Sequence, residues 1–326
     1  MRKSSSRGPV PKVVVIGGGT GLSVMLRGLK HKALDITAIV TVADDGGSSG
    51  ILRSEMQMPP PGDIRNVIIA LADVEPVMAK MLQYRFETGN GLAGHSLGNL
   101  ILAAMTDMTG DFVTGIKELS RVLAVRGRVL PAANQAIFLK AEMTDGSIVE
   151  GESQIPLSGK KIKKVFIEPE DVTPLDEALQ AIREADAIIM GPGSIYTSII
   201  PNLLVPQIAK EVTESSALKI FICNVMTQPG ETDEFKVSDH LKAVTDHIGC
   251  NLFDVVIVNQ GGIPPEVQQK YAEQGAETVE VDLDELERQG YQVVMDELVF
   301  FKRYLRHDAV KLSDHIYRLI EQFKSK

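Results

Sequence analysis

The chain is predicted to be an α/β protein built on a doubly wound, mostly parallel sheet with a small antiparallel β insertion. Three observations predict this. Short apolar runs of strand length alternate with amphipathic helical segments. Most of those runs end in loops rich in Gly, Asp, Ser, Thr or Asn, the arrangement that gathers ligands at the carboxyl ends of parallel strands. Hairpin signals are confined to one stretch, about residues 136–168. The expected organisation is one domain over residues 1–326, with that insertion and a C-terminal helical segment at about 284–326.

The first unit is Lys12–Leu22, KVVVIGGGTGL. A β-branched run meets Gly17, Gly18, Gly19 and Gly21, and an apolar-periodic segment with Leu22, Met25, Leu26 and Leu29 follows. This reads as strand, tight turn, helix. Free N–H groups at the helix start suit a phosphate, and Thr20 is placed either to cap the helix or to bond a phosphate oxygen. The turn is not the G-x-G-x-x-G fingerprint, because Leu22 stands where the third glycine belongs. Nor is it a P-loop, since no Lys-Ser or Lys-Thr pair closes it.

Asp35–Val42 is the second strand, and Ala43–Gly50, ADDGGSSG, is expected to be an irregular loop at its end. Asp44 and Asp45 there can accept ribose hydroxyls, hold a divalent cation or take a proton. Asp63 of PPPGDIRN is placed to cap the helix that follows, with Arg65 and Asn66 in its first turn. An Arg at a helix start calls for a nearby anion or for pairing with Asp63. In GHSLGNL, Ser96 and Asn99 at a helix start suit ligand hydrogen bonding. Gly94–Gly98 also matches the G-x-S-x-G elbow literally, but no strand precedes it.

Ala187–Met190 followed by GPGSIYTS repeats the opening logic, with Gly191, Gly193 and Ser194 as a second anion cradle. Lys219–Val225 ends in MTQPGET, which brings Asn224 and Gln228 to a strand end. Asp254–Val258 is one more strand, and Thr278–Leu283 is expected as an edge strand. The closing helix is expected over Ala309–Phe323, after the charged triplet Arg306-His307-Asp308. The four lysines at 160, 161, 163 and 164 read as a solvated face of the insertion.

A net charge of −9 and a pI near 5.3 argue against a nucleic-acid partner. Aromatics are 5% and Trp is absent, so aliphatic side chains and Met must fill the core. Cys223 and Cys250 are too far apart for a paired-ligand motif, and Cys223 reads as packed and inert. No apolar run reaches membrane-spanning length, so a cytoplasmic location is expected, with the first ten or so residues a loose arm.

Taken together, GGGTGLSVMLRGLK, VTVADDGGSSG, PPPGDIRN, GHSLGNLILAAM, GPGSIYTSIIPNLL and CNVMTQPGET resemble the YvcK family of gluconeogenesis factors, relatives of CofD, the phospholactate transferase of deazaflavin cofactor synthesis. The resemblance runs from about Lys12 to about Ile320. It implies a Rossmann-like fold, binding of UDP-sugars such as UDP-N-acetylglucosamine, and support of growth and cell shape on gluconeogenic carbon, with no established reaction. It carries nucleotide-sugar contacts onto Tyr271 and Arg306; stacking and charge are the chemistry these offer. If the chain instead acts as a CofD-like transferase, Asp45 or Asp63 would activate the hydroxyl, and Asp44 or Asp45 would bind Mg²⁺ with the nucleotide. An NAD(P)-binding oxidoreductase is the third reading, weakened by the missing glycine. A homo-oligomer and a regulatory protein partner are further expectations. Some family members carry a phosphorylatable Thr after the triplet, where this chain has Ala309.

Overall fold

The computed structural model describes residues 9–301 and 305–325. The predicted arm at the N-terminus falls largely outside them. The chain forms strands β1 (Lys12–Gly17), β2 (Asp35–Val40), β3 (Arg128–Pro131), β4 (Phe138–Met143), β5 (Ile148–Glu150), β6 (Ile162–Glu168), β7 (Ala187–Met190), β8 (Leu218–Ile222), β9 (Val255–Asn259), β10 (Gln292–Asp296), β11 (Val299–Phe301) and β12 (Leu305–His307). Seven of them make one parallel sheet in the order β10-β9-β8-β7-β1-β2-β3. The strand order reverses between β1 and β7, and the crevice at such a reversal is where open α/β sheets hold ligands. The doubly wound α/β expectation is met.

The central strands are apolar on both faces because helices cover both. Val13–Ile16 and Ala187–Met190 are buried without alternation. A separate three-stranded antiparallel sheet, β5-β4-β6, is the predicted insertion. It is tied to the body where His247 Nε2 accepts the Val165 N–H at 2.9 Å. A second tie is the close approach of Gly230 to the insertion, where a Cβ would lie 2.0 Å from the Pro156 carbonyl oxygen.

Three expectations are corrected. Residues 47–50 are not loop: Gly47–Met56 is a helix, and only the stretch through Gly46 is irregular. Asp44 Oδ1 accepts the Gly46 N–H at 2.9 Å, fixing the turn that lets Ser48 and Ser49 enter the first helical turn. Thr278–Leu283 is not an edge strand, for it makes only single bridges to Met226 and Lys236. The true edge is β10, inside the segment expected to be helical; 284–326 also holds β11 and β12 besides the Leu283–Arg288 and Ala309–Lys324 helices. At the other edge, β3 was not anticipated.

The Gly19–Leu29 helix crosses the Ala309–Lys324 helix at Gly28, where a Cβ would lie 2.0 Å from the Ala309 carbonyl oxygen. Among the described residues no helix is long and apolar enough to cross a membrane.

Candidate ligand cleft at the strand reversal

Beyond the carboxyl ends of β1, β7 and β8 lies a cleft of about 590 Å³. The turn after β1 supplies Gly18, Gly19, Thr20 and Gly21; the turn after β7 supplies Pro192, Gly193 and Ser194. The two turns touch. A Cβ at Gly21 would lie 2.6 Å from the Pro192 carbonyl oxygen, so only glycine lets them meet. The loop after β8 adds Asn224–Gln228 and Glu231, the insertion adds Glu152, and Tyr271 with Leu305–His307 closes the far wall.

Each turn is held by a side chain. Asn224 clips the Gly193 peptide from both sides: Gly193 N–H donates to Asn224 Oδ1 at 3.0 Å and Asn224 Nδ2 donates to the Gly193 carbonyl at 2.9 Å. Asn224 Nδ2 also reaches Gln228 Oε1 at 3.2 Å. Gly19 N–H donates to the Asp63 carboxylate beneath the first turn. Both N–H groups expected to face an anion are thus engaged by the protein. The amides left for a ligand are their neighbours on the same two turns.

Thr20 lines the cleft but does not cap; Gly18 is the cap residue, with no side-chain bond. Ser194 does cap, accepting the Thr197 N–H at 3.3 Å ahead of a π-helical turn at Ile195–Ile199. Its hydroxyl donates to the buried carboxylate of Glu231, to which Thr197 Oγ1 also donates at 3.3 Å.

The acidic groups gather on one side. Asp63 is pushed up to about 6, first by burial and then by Asp44. Glu152 is pushed up to about 8 by burial and by Asp44, Asp63, Glu231 and Asp45. Burial also raises Glu231, against the pull of its two hydroxyl donors. Asp44 and Asp45 do not act as a pair. Asp45 Oδ1 accepts the Ser153 N–H at 2.9 Å, and its other oxygen faces Gly151. Asp44 turns toward Gly62 and Asp63 instead. Among the described residues no group of three or more His, Cys, Asp or Glu is arranged to hold a metal.

Other expected site residues take up internal tasks. Asp63 does not cap its helix, since Pro61 is the cap residue there, nor does it form an ion pair with Arg65. Arg65 donates to Ser96 Oγ and, at 2.7 Å, to Asn66 Oδ1. Ser96 caps the Leu97–Thr109 helix through the Asn99 N–H at 3.2 Å. The partner of His95 is Ser48, whose hydroxyl lies 3.1 Å from Nδ1; Ser48 also accepts from Asn99 Nδ2 at 3.1 Å. All four of these last groups are buried, so no Ser96 nucleophile is assembled. Gly191 sits behind the cleft at φ +86, where a Cβ would lie 2.5 Å from the Ile222 carbonyl oxygen.

Gly18, Gly19, Thr20, Gly21, Gly193, Ser194, Asn224, Gln228, Tyr271 and Arg306 therefore share one cavity. Sequence reasoning missed Glu152, Thr197 and Glu231 as members of it, while His307 enters from the charged triplet already singled out. Glu231 and Thr197 stand in polar runs just past apolar strands, which was a usable signal. Glu152 had none, because the insertion brings it from far along the chain.

The sequence matches the family of 2-phospho-L-lactate transferase CofD over residues 13–299. It is 56% identical to the gluconeogenesis factor of Bacillus subtilis, over 97% of this chain and all of that protein. It is 57% identical to the gluconeogenesis factor of Halalkalibacterium halodurans, over 93% of this chain and 95% of the other. A crystal structure of a Bacillus halodurans protein superposes with a TM-score of 0.91 at 57% identity, covering 94% of this chain and 98% of that one. The chain belongs to the CofD family and, within it, stands with the gluconeogenesis factors.

Proposed function

We propose that the protein binds a nucleotide sugar, with UDP-N-acetylglucosamine the leading ligand, and acts as a regulator that supports growth and cell shape on gluconeogenic carbon. The observation that carries this is the convergence of both glycine turns, Tyr271 and Arg306 on one cleft at the strand reversal. A cavity of about 590 Å³ lies in the size range of small-molecule sites. The glycine turns let backbone amides approach a diphosphate, Arg306 offers charge, and Tyr271 offers a ring. The Tyr271 hydroxyl accepts the Leu305 N–H at 3.0 Å, which ties that ring to the strand bearing Arg306.

Calorimetry and thermal melting with UDP-N-acetylglucosamine test the reading. A bound ligand raises the melting temperature by mass action. The absence of both heat and stabilisation at millimolar ligand would overturn it.

A second reading, a CofD-like phospholactyl transferase, is favoured by the strained carboxylates. Asp44 and Asp63 repel one another beneath the first turn, and a divalent cation would relieve that repulsion. Two carboxylates suit Mg²⁺ only when the phosphates of a nucleotide complete its coordination. Such an ion would supply charge neutralisation at the diphosphate. Asp63, close to the upper edge of the ordinary carboxylate range, is the better-placed proton acceptor than Asp45. Incubation with a deazaflavin alcohol, a phospholactyl nucleotide and Mg²⁺ should then yield product; a folded but inactive sample would remove this reading. The oxidoreductase reading loses further ground, since buried Leu22 packs on Gly17 where the third glycine would stand.

A further inference from the structure

We infer that Arg27 is a second anion-holding residue of the cleft, forming with Arg306 a two-guanidinium fork for the phosphate groups of the ligand. This rests on the nucleotide-sugar reading and names a residue for it.

Thr20 and Val24 both line the cleft from the Gly19–Leu29 helix. Arg27 is the next residue on that stripe, three positions after Val24. Arg27 is exposed and is not itself among the residues lining the cleft, but long side chains on a helix lean toward its N-terminus, the direction in which Val24 and the cleft lie. The same helix packs against β12, which bears Arg306. The two cations are close enough to feel one another, and Arg27 is also partly desolvated.

Neither arginine forms an ion pair among the described residues, whereas most surface cations of this acidic protein do find a carboxylate. Like charges brought together without a counter-ion call for an anion from outside, and a phosphate accepts two guanidinium forks at once. The acids of the cleft sit elsewhere, beneath the first turn and beside the insertion.

The test compares wild type with Arg27→Ala, Arg27→Gln, Arg306→Ala and the double alanine variant. Ligands are UDP-N-acetylglucosamine, uridine and inorganic pyrophosphate, read by calorimetry. The fork predicts that Arg27→Ala and Arg27→Gln each weaken UDP-N-acetylglucosamine by about tenfold or more, the scale of a charge-assisted bond. It also predicts a shallower salt dependence, unchanged uridine binding, and non-additive losses in the double variant. Circular dichroism melts of the exposed Arg27→Gln variant exclude misfolding.

If wild type binds the nucleotide sugar and both Arg27 variants match it, the fork is wrong and the function stands. If wild type ignores the nucleotide sugar but binds pyrophosphate in an Arg27-dependent way, the fork stands and the nucleotide-sugar reading falls. Binding of neither ligand removes both.

Discussion

The two glycine turns line one cleft but are held by different chemistry. Both follow buried strands at the centre of the sheet, and they meet at Gly21 and Pro192. The turn after β7 is clamped by a neutral amide, Asn224, whose two bonds to the Gly193 peptide do not depend on pH. The turn after β1 is held by Asp63, a carboxyl crowded by Asp44 and pushed up to about 6. One turn is fixed at every pH; the other rests on a group that titrates within the range a cell can reach. The ligand proposed above, bridging both, would meet a rigid wall and a tunable one.

Breaking the rigid wall should have the largest effect. Asn224→Ala removes both bonds and leaves the Gly193 peptide without its partner. We expect a loss of about 2–3 kcal/mol in denaturant melts, from two bonds worth roughly 1 kcal/mol each plus an orphaned donor. An unchanged midpoint would show that the clip is dispensable.

The tunable wall is sharpened by a pH series. The folded pKa of Asp63 lies above its ordinary 3.8, so between about pH 4 and 6 the folded state holds a proton that the unfolded chain has released. Stability from this group must then fall as pH rises through that window, by roughly 2–3 kcal/mol. Asp63→Asn keeps an oxygen for the Gly19 N–H but cannot titrate, so its stability curve should be flatter there. A curve parallel to wild type would exclude Asp63 as the source. Ser194→Ala removes a helix cap beside the rigid turn and the hydroxyl that donates to buried Glu231, and is expected to cost about 1–2 kcal/mol in the same melts.

The two turns were legible in the sequence because each is a β-branched or apolar run broken by glycine, a local signal. Tyr271 could be placed only through the family resemblance, whereas Arg306 stands in a charged triplet that the sequence alone leaves open between a surface salt bridge and a phosphate clamp. What stayed hidden was long-range. β3 is a four-residue RVLP that pairs with β2 across most of the first third of the chain. β10 begins with Gln and ends with Asp, so its half-exposed edge lacked the apolar run that marks the inner strands. Ser96 and Asn99 looked like ligand residues because a helix start with hydroxyl and amide reads the same whether it faces solvent or Ser48. Asp44 and Asp45 looked like a pair because they are adjacent, yet neighbouring side chains in an extended segment point apart.

The meeting of the first and last helices at Gly28 has a consequence for the mouth of the cavity. Arg27 precedes that glycine directly, and Arg306 lies three residues before Ala309, whose carbonyl presses on it. The helix that bears Arg27 and the segment that follows Arg306 therefore meet at a junction with no clearance. A methyl group added at position 28 would run into that carbonyl, so the sixteen-residue closing helix could not keep its seat against the helix that opens the cleft.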